Sequence, residues 1–378
     1  MRILIATGVY PPEIGGPATY TKKLENALPA LGFEVSVLPF SKVKKLPKFI
    51  RHVAYFFLII RESRNVDLVY AQDPISVGVP VTLASFLTRK KFVLKVVGDY
   101  AWEQSRQRFG YTDTLESFQH ATLTLFPKAL RWIERWVAKR ALRVVVPSKY
   151  LGKIVVMWGI PNKKVSVIYN GIESLGDVGN KPVLRGLIKF HGKLIVSIGR
   201  LVPWKGFDTL IALLPELQKT FPGVKLLIIG SGPDSEALER LAEEKGVAED
   251  VIFTGALERD ILIRYLRASD VFILNTSYEG FSHLILEALA VGVPTITTKV
   301  GGNVEIIEHA KNGYLVQPND TKGILQHTRA LLSDATLRAS IVASAKRRVK
   351  QFSNERMIEE VAKLLKSEKV ALKTRNRK

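Results

Sequence analysis

The chain has 378 residues, of which 47% are hydrophobic, and a formal net charge of +21. A chain with this apolar content is not disordered. It is too long to fold around one ordinary hydrophobic core, so two domains are expected. Cysteine is absent, which excludes disulfides and thiolate metal sites and favours a reducing cytoplasm.

The beginning of the chain, residues 1–8, reads as a strand and lacks the features of a signal peptide. Short apolar runs then alternate with longer segments of helical spacing. These runs are 3–6, 35–38, 68–71, 92–97, 144–146 and 165–168. Such alternation predicts β-α repeats around a parallel sheet. We expect residues 1–175 to form a doubly wound, Rossmann-like α/β domain.

Residues 171–192 are rich in Gly, Lys, Asp and Asn without sustained periodicity, and we interpret them as the connection between domains. A second series of buried runs follows at 194–198, 224–229, 251–253, 271–274, 295–297 and 314–316. Residues 176–353 are therefore predicted to form a second doubly wound domain. Ligands of such sheets bind beyond the carboxyl ends of the strands, so a cleft fed by loops from both domains is expected.

The end of the chain contains a helical segment at about 354–372, which we predict to pack back on the first domain. Residues 373–378 are predicted to form a basic tail. The apolar runs fall short of the roughly 20 residues that span a bilayer, so no membrane span is expected.

Two glutamates stand eight residues apart after the predicted strand 271–274. Glu279 lies in the loop at the carboxyl end of that strand, Ser282 reads as the N-cap of the next helix, and Glu287 lies inside that helix. The helix N-terminus offers free N–H groups to a diphosphate, and carboxylates accept hydrogen bonds from sugar hydroxyls. This segment predicts a nucleotide-sugar site.

Arg200 and Lys205 follow the predicted strand 194–198 on a short, glycine-flanked turn. Arginine grips phosphate oxygens in a fork and lysine adds a compact charge, so the pair could stabilise a departing nucleoside diphosphate. The alternative is a pair of surface cations. The chain has no Asp-x-Asp triplet of the kind that holds a divalent ion in metal-dependent sugar transferases. We therefore expect no metal and no cofactor.

Together these motifs resemble those of retaining glycosyltransferases of family 4, the group 1 glycosyl transferases, which have the GT-B fold. The resemblance spans nearly the whole chain. It rests on Gly15-Gly16, Asn170-Gly171-Ile172, Gly199-Arg200-Leu201, Lys205-Gly206, Gly230-Ser231-Gly232-Pro233, residues 279–287, Gly301-Gly302 with Glu305, and Asn312-Gly313. It implies transfer of a hexosyl group from a UDP- or GDP-sugar with retention of anomeric configuration. No residue stands out as a covalent nucleophile, so we expect a front-face route in which the departing diphosphate takes the acceptor proton.

The resemblance also implies roles for single residues. Arg200 and Lys205 would bind the donor diphosphate. Glu279 would lie beside the donor sugar, and Glu287 would take the ribose hydroxyls. Leu257 would lie near the nucleobase. The groups expected to face the sugar and phosphates through their backbone are Gly280, Phe281, Ser282, His283 and Leu284.

Two features of the first domain complete the predicted site. Gly15 and Gly16 form a turn without side chains whose N–H groups could approach the donor, although a plain tight turn is the alternative. Asp99 stands where many members of the family carry a histidine near the donor sugar. Its carboxylate could bind a sugar hydroxyl or accept a proton from the acceptor, or it could be a loop cap.

The positive charge is concentrated in the first half of the chain. Residues 1–170 carry 26 Lys and Arg against 11 Asp and Glu, while residues 171–378 carry 30 against 24. Basic and apolar residues are mixed at 42–60 and at 128–143. We expect a saccharide or lipid-linked acceptor and contact with an anionic membrane surface, with the protein peripheral on the inner face of the cell membrane. The alternative is that both stretches pack their apolar faces into the core.

The positive charge is compatible with other classes of function. A nucleic-acid-binding or membrane-surface protein without transferase activity would also explain the positive charge. No helix-turn-helix, zinc or RNA-recognition motif accompanies that charge, so we expect no nucleic-acid partner. A GT-B epimerase or phosphorylase is the enzymatic alternative.

Overall fold

The computed structural model describes residues 1–13, 15–173, 175–176, 178–187 and 190–375. The chain divides into two compact units. One unit is Met1–Gly171 together with the chain from Asn354 onward, and the other is Ile172–Ser353. The division thus falls between Gly171 and Ile172, slightly ahead of the boundary predicted after residue 175.

The first unit is built on a parallel sheet. Its strands are β1 (Arg2–Thr7), β2 (Glu34–Pro39), β3 (Leu68–Gln72), β4 (Phe92–Lys95), β5 (Val144–Val146) and β6 (Val165–Val167). Over the described residues the six strands lie in the order β2-β1-β3-β4-β5-β6. The order reverses between β1 and β3, which confirms a doubly wound sheet with its switch point at the end of β1. The central strands β3 and β4 are buried along their whole length, as expected when helices cover both faces.

The helices of the first unit surround this sheet. They are α1 (Gly16–Ala27), α2 (Lys48–Ser63), α3 (Gly78–Thr88), α4 (Tyr100–Phe109), α5 (Leu115–His120), α6 (Leu125–Arg140) and α7 (Lys149–Met157), with 3-10 turns at Leu28–Leu31, Phe40–Val43 and Asn162–Lys164.

The second unit repeats this architecture. Its strands are β7 (Leu194–Ile198), β8 (Lys225–Ile229), β9 (Val251–Phe253), β10 (Val271–Leu274), β11 (Thr295–Thr298) and β12 (Tyr314–Val316). Over the described residues these six parallel strands lie in the order β12-β11-β10-β7-β8-β9. The order reverses between β7 and β10, so the loops that follow these two strands leave the sheet at its switch point.

The remaining helices belong to the second unit, except the last. They are α8 (Lys181–Leu187), α9 (Phe207–Gln218), α10 (Ser235–Glu244), α11 (Arg259–Ala268), α12 (His283–Val291), α13 (Asn303–Ile306), α14 (Thr321–Ser333), α15 (Ala335–Val349) and α16 (Asn354–Arg375), with 3-10 turns at Pro203–Lys205, Ala248–Asp250 and Lys350–Phe352.

Helix α8 lies inside the segment predicted to be an irregular connection. Lys181 and Arg185, one helical turn apart, both donate to the Asp270 carboxylate, with N–O distances of 2.6 and 2.5 Å. Leu184 is buried between them. The helix is therefore held by ion pairs and one apolar side chain, a pattern that a search for hydrophobic periodicity does not detect.

Helix α16 packs on the sheet of the first unit. Met357, Val361 and Leu365 join the core that also contains Ile3 and Tyr70. Residues 373–375, predicted to begin a basic tail, continue this helix, since Lys, Ala and Leu favour helix and neither Gly nor Pro interrupts it. Residues 376–378 lie outside the described residues. Across the described part of the chain, no helix is both long and apolar enough to cross a membrane.

Candidate functional site

The loops after β7, β8 and β9 lie side by side at the carboxyl edge of the second sheet. The Leu201 N–H donates to the Ser231 carbonyl with an N–O distance of 3.1 Å, and the Gly230 N–H donates to the Gly255 carbonyl at 2.9 Å. A Cβ at Gly230 would lie 1.8 Å from the Gly199 carbonyl oxygen. These glycines therefore bring three loops together by direct backbone contact.

The turn that carries Lys205 is joined to the loop after β10. The Ser277 N–H donates to the Trp204 carbonyl at 2.8 Å, and the Asn275 side-chain amide donates to the Gly206 carbonyl at 3.1 Å. Gly206 has a left-handed φ of 59°, and a Cβ there would lie 2.4 Å from the Asn275 carbonyl oxygen. The loops from the two switch-point strands are thus held in fixed positions.

These joined loops bring Lys205 and Glu279 into direct contact. The distance from Lys205 Nζ to Glu279 Oε2 is 2.7 Å, and the two side chains are only 15% and 19% exposed. A cation that can hold a phosphate and a carboxylate that can accept from a hydroxyl therefore stand beside each other at the end of the sheet. Both residues were predicted for one site from separate motifs.

Arg200 lies on the same loop as Lys205 but is placed differently. Its side chain is exposed, and no hydrogen-bond or ion-pair partner for it occurs among the described residues. The structure thus places Arg200 at the carboxyl edge of the sheet without bringing it to Glu279.

The backbone of the acidic loop rests on a pair of glycines after β11. The Gly302 N–H donates to the Glu279 carbonyl at 2.9 Å. A Cβ at Gly301 would lie 1.9 Å from that same carbonyl oxygen, and Gly301 has a left-handed φ of 51°. A side chain at position 301 must therefore move the segment that carries Glu279.

We expect Gly301→Ala to destabilise the protein by about 2 kcal/mol or more, because a left-handed conformation is costly for alanine and the new methyl group strikes backbone. Nucleotide binding should fall with it. Denaturant unfolding and calorimetry measure the two effects. The matched control is Gly186→Ala in α8, where a Cβ meets nothing within 4 Å. Equal stability of the two variants would show that Gly301 does not position the acidic loop.

Helix α12 begins beside this loop. The Ser282 Oγ accepts from the Ile285 N–H at 3.3 Å, which confirms Ser282 as the N-cap, and the helix ends at Gly292 with a φ of 75°. The Phe281 ring turns inward and packs against Phe352, with ring centroids 5.6 Å apart. The Phe281 side chain is therefore used in packing within the second unit, and α12 begins at the next residue but one.

The backbone at 283–284 forms the first turn of α12. His283 and Leu284 are half-buried, and Gly280 is buried. These residues share the carboxyl edge of the sheet with Lys205 and Glu279, so the predicted stretch 280–284 forms one continuous segment there.

Glu287 lies on α12 and is 9% exposed. Its Oε1 accepts from Arg259 Nε at 3.1 Å, and Arg259 Nη1 also donates to Glu173 Oε2 at 3.3 Å. Burial would lower the pKa of Arg259, but the carboxylates of Glu287 and Glu173 outweigh burial and raise it. Arg259 begins α11, two residues after the half-buried Leu257, so Glu287 and the Leu257 loop meet through this arginine.

Sequence reasoning missed Arg259. The available signal was a cation two residues after the strand-end loop 255–257, the same kind of position that identified Arg200 and Lys205.

In the first unit, α1 begins at Gly16, and no side chain caps it. A Cβ at Gly15 would make only ordinary contacts, 3.8 Å from Pro17 and 3.9 Å from Val9. Packing within this unit therefore leaves room for a Cβ at position 15, but residues with a side chain rarely adopt its φ of 159°. The start of α1 lies beyond the end of β1, at the switch point of the first sheet.

Asp99 occupies the loop-cap role that was one of its two interpretations. The residue is fully buried, and its carboxylate accepts from the Trp102 N–H at 2.8 Å, from Gln119 Nε2 at 2.9 Å and from Trp158 Nε1 at 3.3 Å. Burial raises the pKa of Asp99. Both of its oxygens therefore accept hydrogen bonds from within the first unit.

Glu134 is a second buried acid near Asp99. It accepts from the N–H groups of Tyr100 and Ala101 at 2.8 and 3.1 Å. Burial, reinforced by the charge of Asp99, raises the pKa of Glu134 well above its usual value. Together the two carboxyl groups organise the start of α4.

Two family profiles match the chain, one in each unit. Residues 14–174 match Glycosyltransferase Family 4, and residues 187–348 match Glycosyl transferases group 1. An uncharacterized glycosyltransferase of Methanocaldococcus jannaschii is 30% identical, over 92% of this chain and 93% of its own length.

Two further comparisons concern proteins with named ligands or activities. A GDP-mannose-dependent alpha-(1-6)-phosphatidylinositol monomannoside mannosyltransferase of Mycobacterium tuberculosis is 37% identical over 147 residues, 37% of this chain and 38% of that protein. The crystal structure of Anabaena HepE in complex with UDP-glucose matches with a TM-score of 0.75 over 97% of this chain and 100% of that one, at 21% identity. The latter likeness shows the GT-B fold. The matches of both units and the full-length relative confirm the motif resemblance, and the chain belongs to glycosyltransferase family 4.

Proposed function

We propose that this enzyme transfers a hexosyl group from a UDP- or GDP-sugar to a saccharide or lipid-linked acceptor in glycan or cell-envelope biosynthesis, with retention of configuration. The observation that carries the proposal is the contact of Lys205 with Glu279 at the switch point of the second sheet. A phosphate-binding cation and a hydroxyl-binding carboxylate at one sheet edge fit a ligand that joins a phosphate to a sugar.

In this proposal the donor lies along the carboxyl edge of the second sheet. Lys205 and Arg200 bind the diphosphate, assisted by the N–H groups at the start of α12. Glu279 orients the donor sugar, Glu287 accepts from the ribose hydroxyls, and Leu257 contacts the nucleobase. The GDP-mannose dependence of the mycobacterial relative and the UDP-glucose bound to HepE support a hexose on UDP or GDP.

The proposed transfer needs no metal and no cofactor beyond the nucleotide sugar. Arg200 and Lys205 supply positive charge where the leaving diphosphate develops negative charge. The bond from the acceptor oxygen to the anomeric carbon forms on the face from which the carbon–oxygen bond to the diphosphate breaks. The acceptor proton passes to the departing phosphate oxygen, so no protein carboxylate has to act as a base.

The acceptor would be bound by the first unit, whose charge is strongly positive. A basic unit favours an anionic acceptor, and a lipid-linked one would bring the enzyme to the inner face of the cell membrane from the cytoplasm. The mycobacterial relative, named for a phosphatidylinositol monomannoside, supports a lipid-linked acceptor.

The test is calorimetric binding of UDP and GDP at fixed salt in the presence of EDTA. We expect one of the two nucleotides to bind under these conditions. Strict dependence on added Mg²⁺ would contradict the metal-independent site, and failure of both nucleotides to bind would contradict the donor assignment. Release of nucleotide from the matching sugar donor should then be slow until an acceptor is added, which separates a transferase from an epimerase.

A further inference from the structure

Helices α2, α3 and α6 lie next to one another in the first unit. Helix α3 packs against both α2 and α6, and the Arg140 guanidinium of α6 lies 5.2 Å from the ring centroid of Phe86 on α3. The outward sides of these helices therefore form a continuous surface, which we call the α2-α3-α6 face.

Large apolar side chains project from each helix of this face. Phe57 on α2, Leu87 on α3 and Trp132 on α6 are 62%, 69% and 63% exposed. Further exposed apolar residues of the same three helices are Ile50, Val53, Leu83, Phe86 and Leu125. Such side chains are common singly on protein surfaces, but a cluster across three adjacent helices marks an interaction surface.

On helix α2 the exposed apolar side chains lie along one side of the helix. Ile50, Val53 and Phe57 share one side of the helix at spacings of three and four residues, while Tyr55 and Ile59 are buried on the other side. Apolar residues thus occur on both sides of this helix. Packing into the core accounts for only one of those sides, so the core-packing alternative does not explain the other.

The α2-α3-α6 face is also cationic. Among its residues Arg61, Lys128, Lys139 and Arg140 are exposed, as is Arg89 directly after α3. The three helices contain only two acidic residues: Glu62, which pairs with Arg61 at 2.8 Å, and the buried Glu134. Positive charge around exposed aromatic and aliphatic side chains matches the boundary between anionic headgroups and acyl chains.

We propose that the α2-α3-α6 face docks on an anionic lipid bilayer. Trp132, Phe57 and Leu87 enter the headgroup and acyl boundary, while the surrounding Lys and Arg side chains extend to lipid phosphates. A second copy of the chain fits this face poorly, because a symmetric contact would place cations against cations. This docking surface rests on the membrane location given in the proposed function and specifies which part of the enzyme contacts the membrane. Vesicle binding can nevertheless be measured without any transfer reaction.

The test is flotation of the full chain with vesicles of phosphatidylcholine alone or of phosphatidylcholine with phosphatidylglycerol, at fixed salt. We expect binding to the anionic vesicles, weakened by added salt and weak or absent with the neutral ones. The combined variant Phe57→Ser, Leu87→Ser and Trp132→Ser should reduce binding at least about tenfold. The matched control replaces Val183, Ile252 and Ile261, exposed apolar residues of the second unit, with serine, and should bind as the wild type does.

Calorimetric measurement of nucleotide binding tests the proposed function independently of membrane docking. Both triple variants should keep wild-type nucleotide affinity, which shows that they fold. Vesicle binding without nucleotide binding in the wild type would refute the donor assignment and leave the docking surface standing. The docking proposal is overturned if the α2-α3-α6 variant floats like the wild type or if neutral vesicles bind equally well. It is also overturned if the wild type is a dimer and the only effect of the α2-α3-α6 variant is to make it a monomer. Binding of the wild type to RNA but not to vesicles would overturn it as well.

Discussion

Arg200→Ala is expected to lower kcat/KM about 10²- to 10³-fold, the range found when a preorganised group that stabilises developing negative charge is removed. The side chain is exposed and has no partner among the described residues, so the substitution should leave the free energy of unfolding nearly unchanged. The measurement is the rate of nucleotide release from the sugar donor in the presence of acceptor, together with a denaturation curve.

Two further variants sharpen this experiment. Arg200→Lys keeps the charge but loses the bidentate fork, so it should recover only part of the rate. Arg240→Ala removes a cation that is 64% exposed on α10 and should react as the wild type does. If Arg200→Ala also reacts at the wild-type rate, Arg200 is a surface cation and its assignment to the diphosphate is wrong.

Glu287→Gln is expected to weaken nucleotide binding by about 30- to 150-fold, because hydrogen bonds to a charged acceptor contribute about 2–3 kcal/mol. The amide keeps the shape of the side chain but removes its charge, so the ribose hydroxyls lose an ionised acceptor. Glu239→Gln, an exposed position on α10, is the control. Calorimetry with the nucleotide that binds the wild type measures the difference.

A modified nucleotide distinguishes contact with the ribose from an indirect effect through Arg259, which Glu287 holds at 3.1 Å. The 2′,3′-dideoxy form of the nucleotide should bind the wild type weakly and should bind Glu287→Gln with the same weak affinity, since the two changes remove one interaction. Additive losses would show that Glu287 acts by holding Arg259 and not by binding the ribose.

The sheets could be predicted from the sequence because buried parallel strands are short, continuous apolar runs. The runs 271–274 and 194–198 coincide with β10 and β7. Loops after such strands meet at one edge, which explains why Lys205 and Glu279, 74 residues apart in the chain, could be assigned to one site.

Other features depend on tertiary contacts that carry no periodic signal. The direct Lys205–Glu279 bond and the bridge from Arg259 to Glu287 and Glu173 arise only when separate loops converge. Asp99 could not be separated from a substrate-binding carboxylate, since the groups that enclose it come from α5, from the residue that follows α7 and from the helix that Asp99 caps. Long-range side-chain hydrogen bonds of this kind produce no regular spacing of residues in the sequence.

The Lys205–Glu279 pair has a consequence for selectivity among anions. Because Glu279 already neutralises Lys205 at 2.7 Å, an isolated inorganic phosphate must compete with an internal counter-ion, and its negative charge repels the carboxylate that it displaces. A ligand that carries both a phosphate and hydroxyl donors replaces both partners at once: its phosphate takes the place of Glu279 beside Lys205, and its hydroxyls take the place of Lys205 beside Glu279. We therefore expect free phosphate to bind more weakly than a sugar phosphate, because the protein itself supplies the competitor.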